Sequence, residues 1–201
     1  MGKMGSFAAA DMKTLQQQLL ELQKTNEDFL EKCAKELAAR LLAKVIKRTP
    51  VGDYSTEIEV VAKRSSKKHK KGDTYKKKIN PSGKMGGTLR RGWIAKTHEE
   101  AAAGSGKPGA NEAVQYAASM PVRREGNLFV IEIVNPVEYA SYVEYGHRQT
   151  PGRYVPELGK RLKKGWVRGK LMLTISEREI QALAPKVLEA RLKKVLEGCA
   201  K

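Results

Sequence analysis

The 201-residue sequence predicts an α+β fold. Three observations carry this: helical apolar spacing at both ends of the chain, an apolar strand-like run over residues 128–134, and a short tyrosine-rich helical segment between extended stretches. Residues 11–48 read as helix. Leu15, Leu19 and Leu22 sit at i, i+4 and i+7, and Phe29, Leu30, Cys33, Leu37, Leu41, Leu42, Val45 and Ile46 continue the stripe. Thr25-Asn26-Glu27-Asp28 fits a capping box, so a break near Thr25 and one uninterrupted helix are both compatible with the pattern. Thr49-Pro50 ends the helix, because a residue before proline is pushed out of the helical region; Val51-Gly52-Asp53 is a turn.

Residues 54–62 are strand-like, with Ile58 and Val60 alternating against Glu57 and Glu59. Residues 63–78 are nearly free of apolar side chains and read as an exposed arm, the tip of a long hairpin, or a solvated disordered loop. Residues 79–87 form a linker, and Thr88 is a candidate N-cap for a short element running through Trp93. Residues 101–112 read as a flexible loop. The strand at 128–134 follows a Gly126-Asn127 turn, which pairs it with 120–125, and Asn135-Pro136 stops it. Residues 137–145 are a short helix with Tyr139, Tyr142 and Val143 on one face and Gly146 at C′. That face reads as a helix packed on a sheet, against the alternative of a stacking platform for bases. After a Pro151-Gly152 loop, residues 165–175 are extended. Ser176-Glu177-Arg178-Glu179 is a capping box opening the last helix, with Ile180, Leu183, Val187, Leu188, Leu192 and Val195 in helical spacing. Pro185 implies a kink or a restart there, with Pro185 as the first helical residue.

The net charge is +17, from 39 lysines and arginines against 22 acids. The excess is local. Residues 63–91 hold 12 basic residues and one acid, and residues 153–170 hold seven and one, leaving 20 of each sign elsewhere. A neutral body with two basic stretches points to a polyanion nearby. Lysines without interleaved aromatics suit loose contact with a nucleic-acid backbone, with no sign of base readout. No apolar run approaches the roughly 18 residues of a membrane span. Asp11 interrupts the N-terminus before a signal-peptide core develops. Cys33 and Cys199 make no disulfide framework, and a reducing compartment fits them.

Reaction chemistry is not legible. His69, His98 and His147 have no metal-ligand spacing with one another or with cysteine. Gly104-Ser105-Gly106-Lys107 and Ser82-Gly83-Lys84 lack the phosphate-loop spacing. Glu132, Glu138 and Glu144 read as surface carboxylates. No enzymatic activity, metal or cofactor is expected.

Four stretches, in order, carry a resemblance. They are Lys47-Arg48-Thr49-Pro50-Val51-Gly52; Gly87-Thr88-Leu89-Arg90-Arg91-Gly92-Trp93; Asn135-Pro136-Val137-Glu138-Tyr139-Ala140-Ser141-Tyr142-Val143-Glu144-Tyr145-Gly146-His147; and Gly165-Trp166-Val167-Arg168-Gly169-Lys170-Leu171-Met172-Leu173. Together they resemble the phage tail-component family typified by gene product ten of Hong Kong 97-type phages, over roughly residues 30–198. The third stretch is the most specific. The motif residues are Pro50, Gly52, Leu89, Arg90, Trp93, Tyr139, Tyr142, Glu144, Tyr145, Gly146 and His147.

The resemblance implies a non-catalytic structural protein of the virion neck, acting in tail completion or head–tail joining. It implies a ring around the DNA channel, a hexamer with a dodecamer as the alternative. Adjacent neck, connector and tail proteins would be its neighbours, with the host cytoplasm as the place of assembly. On this reading residues 1–10 are a flexible N-terminus and 11–201 a single α+β domain, with a basic arm inserted over about 53–86. In the usual pattern the Thr-Pro-Val-Gly turn runs almost directly into Thr-Leu-Arg-Arg. The nine cations of the arm, Lys63, Arg64, Lys67, Lys68, Lys70, Lys71, Lys76, Lys77 and Lys78, are expected to face DNA or an acidic neighbour. Their mutual repulsion predicts an extended, mobile arm in isolation. The competing class is a sequence-independent nucleic-acid-binding protein of the cell.

Overall fold

The computed structural model describes residues 9–81, 83, 86–156 and 160–199. The flexible N-terminus expected over 1–10 lies outside them as far as residue 8, and Ala9 already opens the first helix. The architecture is mixed α+β, as the sequence predicts: helices at both ends, short helices between and, among the described residues, four antiparallel two-stranded pairs. The chain divides into two compact units. One comprises Met1–Val45, Gly109–Val134 and Leu173–Lys201; the other comprises Ile46–Pro108 and Asn135–Met172.

The first unit is built on α1 (Ala9–Arg48), which runs through Thr25 without a break. Leu42 and Val45 are fully buried, with Cys33, Ala38 and Ala39 on the turns before them. A buried side chain of that size contributes about 1.5–3 kcal/mol. Helix α4 (Ala110–Ser119) buries Ala113 and Ala117, one turn apart, and α6 (Met172–Cys199) buries Ser176 and Ile180. Polar contacts tie α6 to α1. Lys44 Nζ lies 2.6 Å from Glu179, and Arg191 pairs with Glu36 and donates to the Lys32 carbonyl at 3.3 Å. The Arg40 side-chain hydrogen bond, seconded by the Arg191 charge, holds the Glu36 carboxyl below the usual carboxylate range. Burial pushes the Cys33 thiol up. No helix of the described residues is long and apolar enough to cross a membrane.

Several expectations are corrected here. Residues 101–112 are not one flexible loop. Helix α3 (His98–Ala103) is capped by Thr97 Oγ1, which accepts the Glu100 N–H at 3.2 Å; Glu112 accepts the Gly109 N–H at 3.0 Å and starts α4. Alanine-rich sequence with a cap at each start suffices for helix. The strand at 128–134 shrinks to β4 (Leu128–Val130), paired with β3 (Arg123–Glu125). Continuing that register would set Pro121 opposite Glu132, and proline has no N–H for the ladder.

The last helix starts at Met172, not at the 176–179 capping box, and Ser176 is fully buried in its interior. It runs on through Pro185, which restarts nothing. The carbonyl that proline deprives of a donor belongs to Gln181, an exposed residue that water can satisfy. The helical spacing of Leu183, Leu188, Leu192 and Val195 is real, yet these side chains stay 37–48% exposed.

Candidate partner and nucleic-acid interface

The second unit brings the four resembling stretches together, because each supplies a group that another lacks. Helix α1 ends at Arg48, and the last carbonyls of any helix must find partners outside its own ladder. Arg90, on α2 (Thr88–Arg91), donates to the Thr49 carbonyl from Nε at 3.1 Å and Nη2 at 2.5 Å. A guanidinium there also meets the negative end of the helix dipole. Trp93, in the 3₁₀ turn Gly92–Ile94, is buried and donates its indole N–H to Thr49 Oγ1 at 2.8 Å. Leu89 is buried, and its carbonyl accepts Asn135 Nδ2 at 2.9 Å. Asn135 Oδ1 in turn accepts the Val137 N–H at 3.1 Å. A Cβ on Gly92 would overlap Asn135 Oδ1 and Val137, so the close approach requires glycine. Gly52 lies under the Tyr54 ring, while Pro50 is exposed.

The third stretch forms α5 (Ala140–Tyr145), ended by Gly146 at φ 87°, ψ 172°. The chain then enters β5 (Gly146–Arg148), antiparallel to β8 (Trp166–Arg168), with His147 opposite Val167. Past β8, the Lys170 and Leu171 N–H groups donate to the carbonyls of Val143 at 2.8 Å and Glu144 at 3.0 Å.

The tyrosine face is not core. Tyr139, Tyr142 and Tyr145 are 42%, 58% and 67% exposed, and Glu144, expected at the surface, is buried. The reason is local. The chain past β8 closes on the carbonyls of Val143 and Glu144 at the end of α5, where the Glu144 side chain is buried and the tyrosines are exposed. Tyr142 meets His147 edge-on, with ring centroids 5.7 Å apart. Burial pushes the Tyr139 phenol up.

Four residues of this cluster lie in the quoted stretches but were not among the motif residues picked from them: Thr49, Arg91, Gly92 and Asn135. Thr88 does not cap α2; Gly87 does, at φ 103°. Arg91 is buried, with Nε on the Ala101 carbonyl at 2.8 Å and Nη1 on that of Gly86 at 3.3 Å. The available signals were the threonine before Pro50 at a helix end and the asparagine before Pro136.

The segment over about 53–86 holds a hairpin rather than an extended arm. β1 (Thr56–Val61) pairs with β2 (Thr74–Ile79), Glu57 opposite Lys78 and Glu59 opposite Lys76. Lys76, Lys77 and Lys78 are therefore strand residues. The remaining cations, Lys63, Arg64, Lys67, Lys68, Lys70 and Lys71, are all exposed at the tip.

The tip is folded in spite of its charge because short polar groups bind its backbone. Asp73 accepts the Lys70 N–H at 2.7 Å, and Ser65 Oγ accepts the Lys71 N–H at 3.1 Å. The Ser66 N–H donates to the His69 carbonyl at 2.8 Å. Ala62 and Asp73 close the loop, and His69 stacks on Tyr75 at 4.3 Å. Among the described residues no hydrogen bond or ion pair links the six tip cations to the motif cluster. The second basic stretch holds a further small pair, β6 (Tyr154–Val155) with β7 (Lys160–Arg161), where Arg161 lies 6.0 Å over the Tyr154 ring.

A model of the family described as "Bacteriophage HK97-gp10, putative tail-component" matches residues 13–85 and 75–146, more than half of the chain. The two stretches overlap over 75–85, and the match stops at Gly146. His147 and the Gly165–Leu173 stretch lie beyond it. No curated protein and no solved structure matches the chain significantly.

Proposed function

Because this chain belongs to the HK97-gp10-like family of phage tail components, we propose that it is a structural protein of the head–tail junction. It forms a ring, hexameric or dodecameric, around the DNA channel, touches the neighbouring connector and tail proteins, and catalyses nothing. The observation that carries this reading within the family is the separation of charge from body. The excess sits on the hairpin tip and on 153–170, while the rest of the chain is neutral and suited to subunit contact. Six copies of a +17 chain would carry about +100, which needs a polyanion in the lumen to be tolerable. The folded tip supports the same reading, because its backbone is already ordered and binding need not supply roughly 1–2 kcal/mol per residue to order it.

The combined variant Lys67→Gln, Lys68→Gln, Lys70→Gln, Lys71→Gln tests this reading. These side chains are exposed, so the circular dichroism and the unfolding midpoint stay unchanged. Duplex DNA binding by the full chain weakens, and the slope of log K against log salt falls by about 3–4, near 0.9 per lost phosphate contact. Particles carrying the variant lose packaged DNA. Unchanged retention with an unchanged slope would reduce the tip to a solvated loop.

A further inference from the structure

The β1–β2 hairpin has two outer edges, and they are opposite in charge. β1 carries Glu57 and Glu59 and no base; β2 carries Lys76, Lys77 and Lys78 and no acid. Among the described residues this sheet has two strands alone, so the outward N–H and C=O groups of each strand have no ladder partner. A lone two-stranded hairpin is marginal in water, and an exposed edge is a template for another strand. Ile58 and Val61 add apolar surface to the same ribbon, 37% and 56% exposed.

Three pairings of two such hairpins are conceivable, and charge separates them. Two β1 edges would oppose four carboxylates, and two β2 edges would oppose six lysines. Only β1 against β2 sets acids beside bases. The pairing within the chain already shows the match. Glu57 faces Lys78 and Glu59 faces Lys76 on one face, while Ile58 faces Lys77 on the other. A second β2 laid outside β1 would repeat it, leaving each glutamate flanked by lysines on both sides. Copies related by rotation about one axis present β1 and the next β2 in opposite directions, as an antiparallel ladder needs. The contact is heterologous, with a different surface on each partner, and such a contact gives a ring when the rotation between copies closes.

We propose that neighbouring copies of this chain join by strand addition, the acidic β1 edge of one copy pairing antiparallel with the basic β2 edge of the next. The inference rests on the ring reading above and adds to it the contact that builds the ring. It also divides the nine cations. Lys76, Lys77 and Lys78 serve the neighbouring copy, and the six tip cations remain for DNA.

The test is a charge-swapped full-length chain, Glu57→Lys, Glu59→Lys, Lys76→Glu, Lys78→Glu. The swap preserves every pair within the hairpin and every pair between swapped copies, but opposes like charges wherever a swapped copy meets an unswapped one. Particles are assembled from equal amounts of the two forms, each with its own tag. Neighbouring copies are then cross-linked and identified by mass spectrometry. Unlike neighbours should be depleted about tenfold or more relative to random mixing. Random mixing in particles of normal copy number would overturn the strand addition and leave the ring standing. One copy per particle, for the unswapped protein as well, would overturn the ring and the pairing with it.

Should the swapped chain fail to fold, zero-length carboxylate–amine cross-linking of unaltered particles gives the same decision. Half the copies carry heavy isotopes for that measurement. Links from Glu57 or Glu59 of one chain to Lys76, Lys77 or Lys78 of another are expected, and their absence would overturn the proposal.

Discussion

Replacing Trp93 with alanine is expected to lower stability by about 3–5 kcal/mol, the usual cost of removing a buried aromatic side chain. Trp93 is 4% exposed and holds two stretches of chain at once. Its side chain is buried in the 3₁₀ turn, and its indole N–H reaches Thr49 Oγ1 just past the end of α1. For a chain of this length that loss corresponds to a fall of roughly 6–20 °C in Tm. Trp93→Phe separates the two contributions. It keeps most of the apolar area and removes the donor to a buried hydroxyl, for a cost of about 1–3 kcal/mol. Thermal unfolding followed by circular dichroism measures both variants. A Trp93→Ala chain within about 1 kcal/mol of the parent would mean that the junction at Thr49 is not built on this contact.

The second large effect is expected at Gly146. Its φ of 87° and ψ of 172° lie in a region that only glycine populates freely. Space is closed there too, since a Cβ would overlap the Val167 carbonyl and come within 2.7 Å of the Gly169 nitrogen. Both obstacles are backbone atoms of the β8 side of the corner, so relief requires breaking the β5–β8 pair. Gly152→Ala is the matched control, with φ 83° and nothing within 4 Å of a Cβ. The control carries only the conformational cost, about 1–3 kcal/mol. Gly146→Ala should exceed it by at least about 2 kcal/mol, in line with other backbone and overpacking strain. Equal costs at the two positions would show that the corner yields and that the α5–β5 turn is not rigid.

What the sequence discloses of this fold depends on whether a signal is local. Thr49-Pro50 ends α1 where expected, because proline acts on its immediate neighbour. Gly146 ends α5 for the same kind of reason. The hairpin was legible in β1, where Ile58 and Val60 alternate with glutamates. Its tip was not, because Asp73, Ser65 and Ser66 are unremarkable as composition and act only once the backbone has turned to meet them. The strand at 128–134 is apolar enough to extend further, and what shortens it lies across the hairpin, at Pro121. Helical spacing in α6 identifies the helix but not its burial, since spacing carries no information about what stands opposite. The same gap misplaced Tyr139, Tyr142 and Tyr145. As a pattern they read as a packed face, yet all three are exposed, because spacing alone does not say which side of a short helix its neighbours cover. Of the motif cluster, the sequence identified Leu89, Arg90 and Trp93, but not that Thr49 and Asn135 are the groups those stretches close upon, across more than 40 residues of chain.

The proposed function reduces to one claim: in this family tail component the neutral body builds a ring and the basic hairpin tips face DNA. Reconstruction of the assembled particle by electron cryo-microscopy tests it most directly. A closed ring of this chain is expected on the tail axis at the head–tail junction, with hairpins of adjacent copies in contact and Lys67, Lys68, Lys70 and Lys71 directed at the channel. A single copy, or copies placed off the axis with those lysines turned to bulk solvent, would contradict it.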